Sequence, residues 1–98
     1  MNYYGEMARD HWARWLPARY AQIQDPGSFF SDLGSHAEMR IDALADELAG
    51  DGQPGEGYLS KAGRIGQARR QAEEIVLAEV ILLEPEPGAG HDGRQPRG

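Results

Sequence analysis

Residues 57–84 read GYLSKAGRIGQARRQAEEIVLAEVILLE, and apolar side chains recur through them at helical separations. Leu59, Ala62, Ile65, Ala68, Ala72, Ile75, Val76, Val80 and Leu83 are the residues this spacing predicts to be buried. At about 1.5 Å per residue such a helix is roughly 36 to 40 Å long. Pro85 and Pro87 end it. Gly63 and Gly66 lie inside it, each costing about 1 kcal/mol relative to alanine, and their small size allows another backbone to come close. The charges of the stretch are sorted by sign: Lys61, Arg64, Arg69 and Arg70 come first, then Glu73, Glu74, Glu79 and Glu84. A helix macrodipole favours the reverse order. The charges are therefore placed for a neighbouring helix, a partner chain or nucleic acid.

Upstream, residues 50–57 are rich in Gly and Pro and have the length of a connection between antiparallel helices. Before them, Phe30, Leu33, Ala37, Ile41, Leu44 and Leu48 form a second apolar stripe, widened by Phe29 and Ala45, with Gly34 as a weak point. Asp25 followed by Pro26 is its start signal, because Asp accepts hydrogen bonds from free amides and Pro suits the first helical position. A first helix begins after Asn2, a cap residue, and carries Tyr4, Ala8, His11, Trp12, Trp15 and Leu16. Pro17 predicts a kink or a short break before Tyr20 and Ile23.

An antiparallel pairing of the second and third helices places Asp42, Asp46 and Glu47 beside Lys61 and Arg64. It also places Glu73, Glu74 and Glu79 near Arg9, Arg14 and Arg19 of the first helix. Exposed pairs contribute only about 0 to 1 kcal/mol each, but they disfavour wrong packings. The functional alternative is an outward-facing surface of Lys61, Arg64, Arg69 and Arg70, with Glu73 and Glu74, for phosphates or an acidic partner.

The chain has 98 residues, a formal charge of −6 and no cysteine. That is one small domain, without disulfides or thiolate metal ligands. The acidic balance disfavours autonomous binding to duplex DNA, and no helix-turn-helix, zinc-finger or aromatic RNA-binding pattern is present. Without a signal peptide or long apolar run, the expected location is the cytoplasm, with no membrane partner. His11, His36 and His91 lie in separate segments without metal-ligand spacing. No serine sits in a nucleophile elbow, and Gly88, Gly90 and Gly93 lack the strand and helix of a phosphate loop. No cofactor, metal or catalytic residue is predicted. Trp12 and Trp15, with Tyr4 and Tyr20 nearby, form the densest aromatic patch; it serves either as core or as an aromatic contact for a partner.

Three motifs carry a likeness: Tyr4-Gly5-x-Met7, Leu16-Pro17-x-x-Tyr20, and Gly63-Arg64-Ile65 leading into Arg69-x-x-Ala72-Glu73-Glu74-Ile75-Val76-Leu77-x-Glu79-Val80. Over about Tyr4 to Leu82 the chain resembles the TnpV-like transposon-encoded proteins. The resemblance implies a small helical protein of a mobile element, similar to phage excisionases and accessory to a site-specific recombinase. It implies a contact surface at Arg64, Arg69, Glu73 and Glu74, and no catalytic residue or cofactor. Gly66 and the Gly-rich end depart from the family pattern.

The sequence thus predicts an all-α protein: a small three-helix bundle in residues 1–84, with the first helix kinked or broken at Pro17 and the second and third forming an antiparallel hairpin. A disordered Gly/Pro-rich tail is expected over 85–98. The predicted function is that of a non-enzymatic accessory or regulatory protein of a mobile genetic element, acting through contacts with a protein such as a recombinase. Assisted DNA contact and self-association accompany that expectation. The alternative is an acidic helical interaction or inhibitor module, whose Asp32, Glu38, Asp42, Asp46 and Glu47 bind a basic partner surface.

Overall fold

The computed structural model describes residues 1–89. They form α1 (Tyr3–Trp15), α2 (Pro17–Ala21), α3 (Pro26–Ala49) and α4 (Tyr58–Val76), the last running on into a π-helical turn at Leu77–Ile81. The architecture is the predicted all-α bundle. α3 and α4 are its antiparallel hairpin, and α1 packs mainly on α3.

The first helix is broken, not merely bent. Leu16 leaves the helical region at φ −128° and ψ 56°, because the ring of Pro17 disfavours the α conformation in the residue before it. Pro17 then occupies the first position of α2, where its missing N–H costs nothing. Asn2 caps α1 by accepting from the Gly5 amide at 2.8 Å. Its side-chain NH₂ donates to the Gly34 carbonyl and the Glu38 carboxylate, each at 3.0 Å, so one residue both starts α1 and ties it to α3. Asp25 caps α3 by accepting from the Ser28 amide at 3.2 Å.

Gly34 is the crossing point of α1 and α3. A Cβ built on it would lie 2.6 Å from the Gly5 nitrogen and 2.8 Å from the Gly5 Cα, so the backbones meet where neither residue has a side chain. The close approach that Gly63 and Gly66 would allow is not used. Gly63 has open space around it, and Gly66 meets only the Arg70 guanidinium at 3.7 Å.

The core lies between α1 and the hairpin. α1 supplies Tyr4, Ala8, Trp12 and Leu16; α3 supplies Phe30, Ala37, Ile41 and Ala45; α4 and its extension supply Ala72, Val76 and Ile81. At one end Phe30 contacts the rings of Trp12 (5.4 Å), Tyr20 (5.9 Å) and Phe29 (4.9 Å). Toward the other end alanines take over and little area is buried. Ile81 is fully buried while Val80 is half-exposed, the reverse of the expectation from α-helical spacing. In a π-helical turn hydrogen bonds reach five residues along, so Ile81 returns to the side of Val76. The Leu82 amide accordingly donates to the Leu77 carbonyl. The same widening offers the Ile81 carbonyl to the Trp12 indole N–H at 3.1 Å, and His11 Nε2 donates to the Leu83 carbonyl at 2.8 Å.

Helical structure ends at Ile81, close to expectation, yet the chain stays attached beyond Glu84. The Glu86 amide donates to the Trp15 carbonyl at 2.9 Å. The two Glu86 carboxylate oxygens accept from the Ala18 and Arg19 amides at 3.0 and 3.1 Å, satisfying the free donors at the start of α2. The expectation of disorder from residue 85 is thus corrected for Glu86 and its neighbours, and residues 90–98 of that tail lie outside the described residues.

α1 has 13 residues and α3 has 24, so α1 covers only part of the hairpin. The radius of gyration, 17.6 Å, exceeds the roughly 13 Å of a compact chain of about this length. The loop end of the hairpin carries no third helix.

Candidate interaction surface

The six charged residues singled out on α4 do not form one strip. Arg64 turns toward the connection, where Nε and Nη2 donate to both oxygens of Glu56 at 3.0 and 2.9 Å. Its Nη1 donates to the Ala49 carbonyl and, at 3.2 Å, to the Gly50 carbonyl. The guanidinium thereby satisfies carbonyls at the end of α3 and locks the 50–57 connection onto α4. Those hydrogen bonds from Arg64 hold the Glu56 carboxyl below the usual carboxylate range. Arg69 donates to Asp42 of α3 at 2.6 Å. Lys61, Arg64 and Arg69 line a groove between α3 and α4, opposite Asp42, Asp46 and Asp51.

The acidic partners also differ from expectation. Arg64 pairs with Glu56 of the connection instead of the α3 carboxylates, and Glu79 pairs with Arg40 of α3 at 2.6 Å. Arg9, Arg14 and Arg19 form no salt bridge among the described residues. Glu73 does face α1, but its contact there is Tyr4, whose hydroxyl donates to it at 2.6 Å. Arg70 and Glu74 stand elsewhere, exposed beside Gln67 and Gln71.

The Tyr4 contact has a pH signature. Its hydrogen bond to the Glu73 carboxylate, with burial second, pushes the phenol above its ordinary value of 10.0. A raised pKa in the folded state means that this stabilisation is complete below pH 10.0 and is lost as pH rises through the raised value. Absorbance titration should show one tyrosine ionising later than the others. Tyr4→Phe should remove that late step and flatten the loss of stability above about pH 10; an unchanged alkaline profile would contradict the assignment.

Of the aromatic pair, Trp12 is buried, 9 % exposed, and belongs to the core; it is not available as a partner contact. Trp15 is half-buried with the Arg14 guanidinium over its ring at 5.0 Å.

Bare apolar surface lies instead at the loop end of the hairpin. Tyr58 and Leu59 are each 81 % exposed, Ile65 46 % and Leu48 40 %. Leu59, Ala62 and Ile65 were predicted to be buried, and all three are exposed. The reason is geometric. α1 begins where Tyr4 and Glu73 meet, so the first half of α4 faces no third helix.

Among the described residues no group of three His, Asp or Glu stands close enough to hold a metal ion, and no helix is long and apolar enough to cross a membrane. His91 lies outside the described residues. No family model, curated protein or solved structure matches the chain, so no family is assigned and the geometry carries the functional argument.

Proposed function

We propose that the chain is a non-enzymatic accessory or regulatory protein that binds another protein through the loop end of its α3–α4 hairpin. The observation that carries this is the exposure of Leu48, Tyr58, Leu59 and Ile65, three of them at helical positions patterned for burial. Apolar side chains exposed together at one end of a molecule are the kind of surface that a partner protein covers. The adjoining groove, with Asp42, Asp46 and Asp51 on one wall and Lys61 and Arg69 on the other, supplies a polar rim of both signs. Its basic residues are matched by nearby carboxylates, which argues against autonomous phosphate binding.

The likeness to TnpV-like proteins supports placing this contact on a mobile element, with the element's recombinase as the partner. An acidic, DNA-imitating second helix is the less favoured reading, because Asp42 is already occupied by Arg69. A pull-down with the recombinase encoded beside the gene tests the proposal. Leu59→Asp and Ile65→Asp should leave helicity intact and reduce retention at least about tenfold, as loss of central apolar anchors does. Equal retention of both variants would refute the hairpin end as the contact.

A further inference from the structure

We infer that the partner at the loop end of the hairpin presents an amphipathic α-helix with a basic flank, which lies in the α3–α4 groove in line with α1. The inference rests on the proposed hairpin-end contact and adds the chemistry of what binds there.

The groove prolongs the seat of α1. On α3 that seat is marked by Gly34 and Glu38, both bonded to Asn2, and on α4 by Glu73, bonded to Tyr4. Steps of four residues carry the same rows onward, to Asp42 and Asp46 on α3 and to Arg69, Ile65 and Lys61 on α4, and all five line the groove. Arg69 stands at the junction, bonded to Asp42 and beside the Tyr4 hydroxyl. The hairpin therefore offers one continuous cleft, and α1 fills it only as far as Glu38. Ala49 stands eleven residues beyond Glu38, which leaves about 16 Å of cleft, or roughly three turns of a docked helix. Its floor is small and apolar, made by Ala45, Ala49 and Ile65. Ile65 is exposed there and so is Tyr58 farther along α4, so both can take apolar side chains from every third or fourth position of that helix.

Charge selects the partner. Within the groove Arg69 is taken by Asp42 and Arg64 by Glu56. Asp46 and Asp51, at the end of α3 and just beyond it, have no salt-bridge partner among the described residues. Asp46 lies in the last turn of α3, where a carboxylate opposes the macrodipole, so its charge does not serve its own helix. On the α4 wall Lys61 is likewise outside any salt bridge. A docked helix is thus matched when it carries Lys or Arg on the flank toward α3 and none toward Lys61. α1 shows the same matching one step earlier, where the Asn2 side-chain NH₂ donates to the Glu38 carboxylate. The two free carboxylates repel a phosphate backbone, which favours a protein segment over nucleic acid.

Fluorescence anisotropy of labelled peptides titrated with the full chain at low ionic strength tests this. The probe is a synthetic peptide of about 18 residues, long enough to form a helix, with leucines at helical spacing, lysines on one flank and glutamines on the other. Its counterpart carries glutamates in place of the lysines. The wild type should bind the lysine peptide at least about tenfold more tightly than the glutamate peptide. Asp46→Lys/Asp51→Lys should weaken the lysine peptide about tenfold, because two attractions become repulsions, and Ile65→Asp should weaken it as well. Asp10→Lys/Glu74→Lys changes the net charge equally at exposed positions outside the groove, and should bind like the wild type. A lysine in the last turn of α3 suits the macrodipole, so the groove variant should melt no lower than the wild type. No binding of the lysine peptide, no preference over the glutamate peptide, or equal losses in the two double variants would overturn the inference. In the recombinase pull-down, Asp46→Lys/Asp51→Lys retained like the wild type would also overturn it while leaving the hairpin-end contact standing, whereas Leu59→Asp and Ile65→Asp retained like the wild type would refute the contact itself.

Discussion

Replacing Gly34 by alanine is expected to lower the melting temperature by roughly 8 to 16 °C, although alanine is the better helix former. The propensity gain is about 1 kcal/mol. The new Cβ, however, would lie 2.2 Å from Asn2 Oδ1, 2.6 Å from the Gly5 nitrogen and 2.8 Å from the Gly5 Cα. Two of those neighbours are backbone and cannot rotate away, so α1 must lift from α3, loosening Asn2 and the packing of Tyr4 and Ala8. Overpacking of this kind costs about 1 to 3 kcal/mol and occasionally more. Because backbone atoms are met on α1, the cost lies at the upper end, about 3 kcal/mol, and the net loss of about 2 kcal/mol corresponds to the stated shift, at about 4 to 8 °C per kcal/mol for a domain of this size. Gly66→Ala is the matched control: its Cβ meets only the Arg70 guanidinium at 3.7 Å, so it should gain up to about 1 kcal/mol. Thermal melts followed by circular dichroism check both. A Gly34→Ala protein as stable as wild type would mean that α1 does not cross α3 there.

Phe30→Ala should have a still larger effect, about 3 to 5 kcal/mol. Phe30 is fully buried and touches the rings of Trp12, Tyr20 and Phe29, so it joins α1, the short α2 and the start of α3. Five of the twelve buried apolar residues are alanines, and nothing nearby is large enough to refill the space. Small domains have only about 5 kcal/mol or little more in total. The variant should therefore show a urea midpoint close to zero and lose the near-ultraviolet signal of its tryptophans. A loss under about 1 kcal/mol would show that the aromatic cluster is not the centre of the fold.

The all-α class was legible because three apolar stripes at helical pitch were bounded by clear signals: Asn2, Asp25 with Pro26, the glycines of 50–57, and Pro85. The break at Pro17 followed from proline chemistry alone. Periodicity indicates which side of a helix suits burial, not how far along it a neighbour reaches. That is why Leu59 and Ile65 were expected in the core and stand in solvent, beyond the start of α1. The π-helical turn was invisible for a related reason: a shift from four- to five-residue hydrogen bonds leaves no pattern in a run such as Leu77–Ile81, where nearly every residue is apolar. Glycines gave an ambiguous signal. Gly34 read only as a weak point of the α3 stripe and Gly63 and Gly66 as glycines that would allow a close approach, whereas the crossing is made by Gly34 and Gly5. Charges were least legible. Arg64 found Glu56 in the connection and Glu86 reached back to α2, and neither pairing has a sequence spacing that announces it.

Amide hydrogen exchange on the free chain, dilute enough to be monomeric, tests most directly the claim that α1 covers only one end of the hairpin. The slowest amides should be those near Ala37–Ile41 and Ala72–Val76, with Tyr58–Gly63 exchanging far faster, as frayed helix without a third layer does. Protection over Tyr58–Gly63 equal to that at Ala72–Val76 would contradict the account.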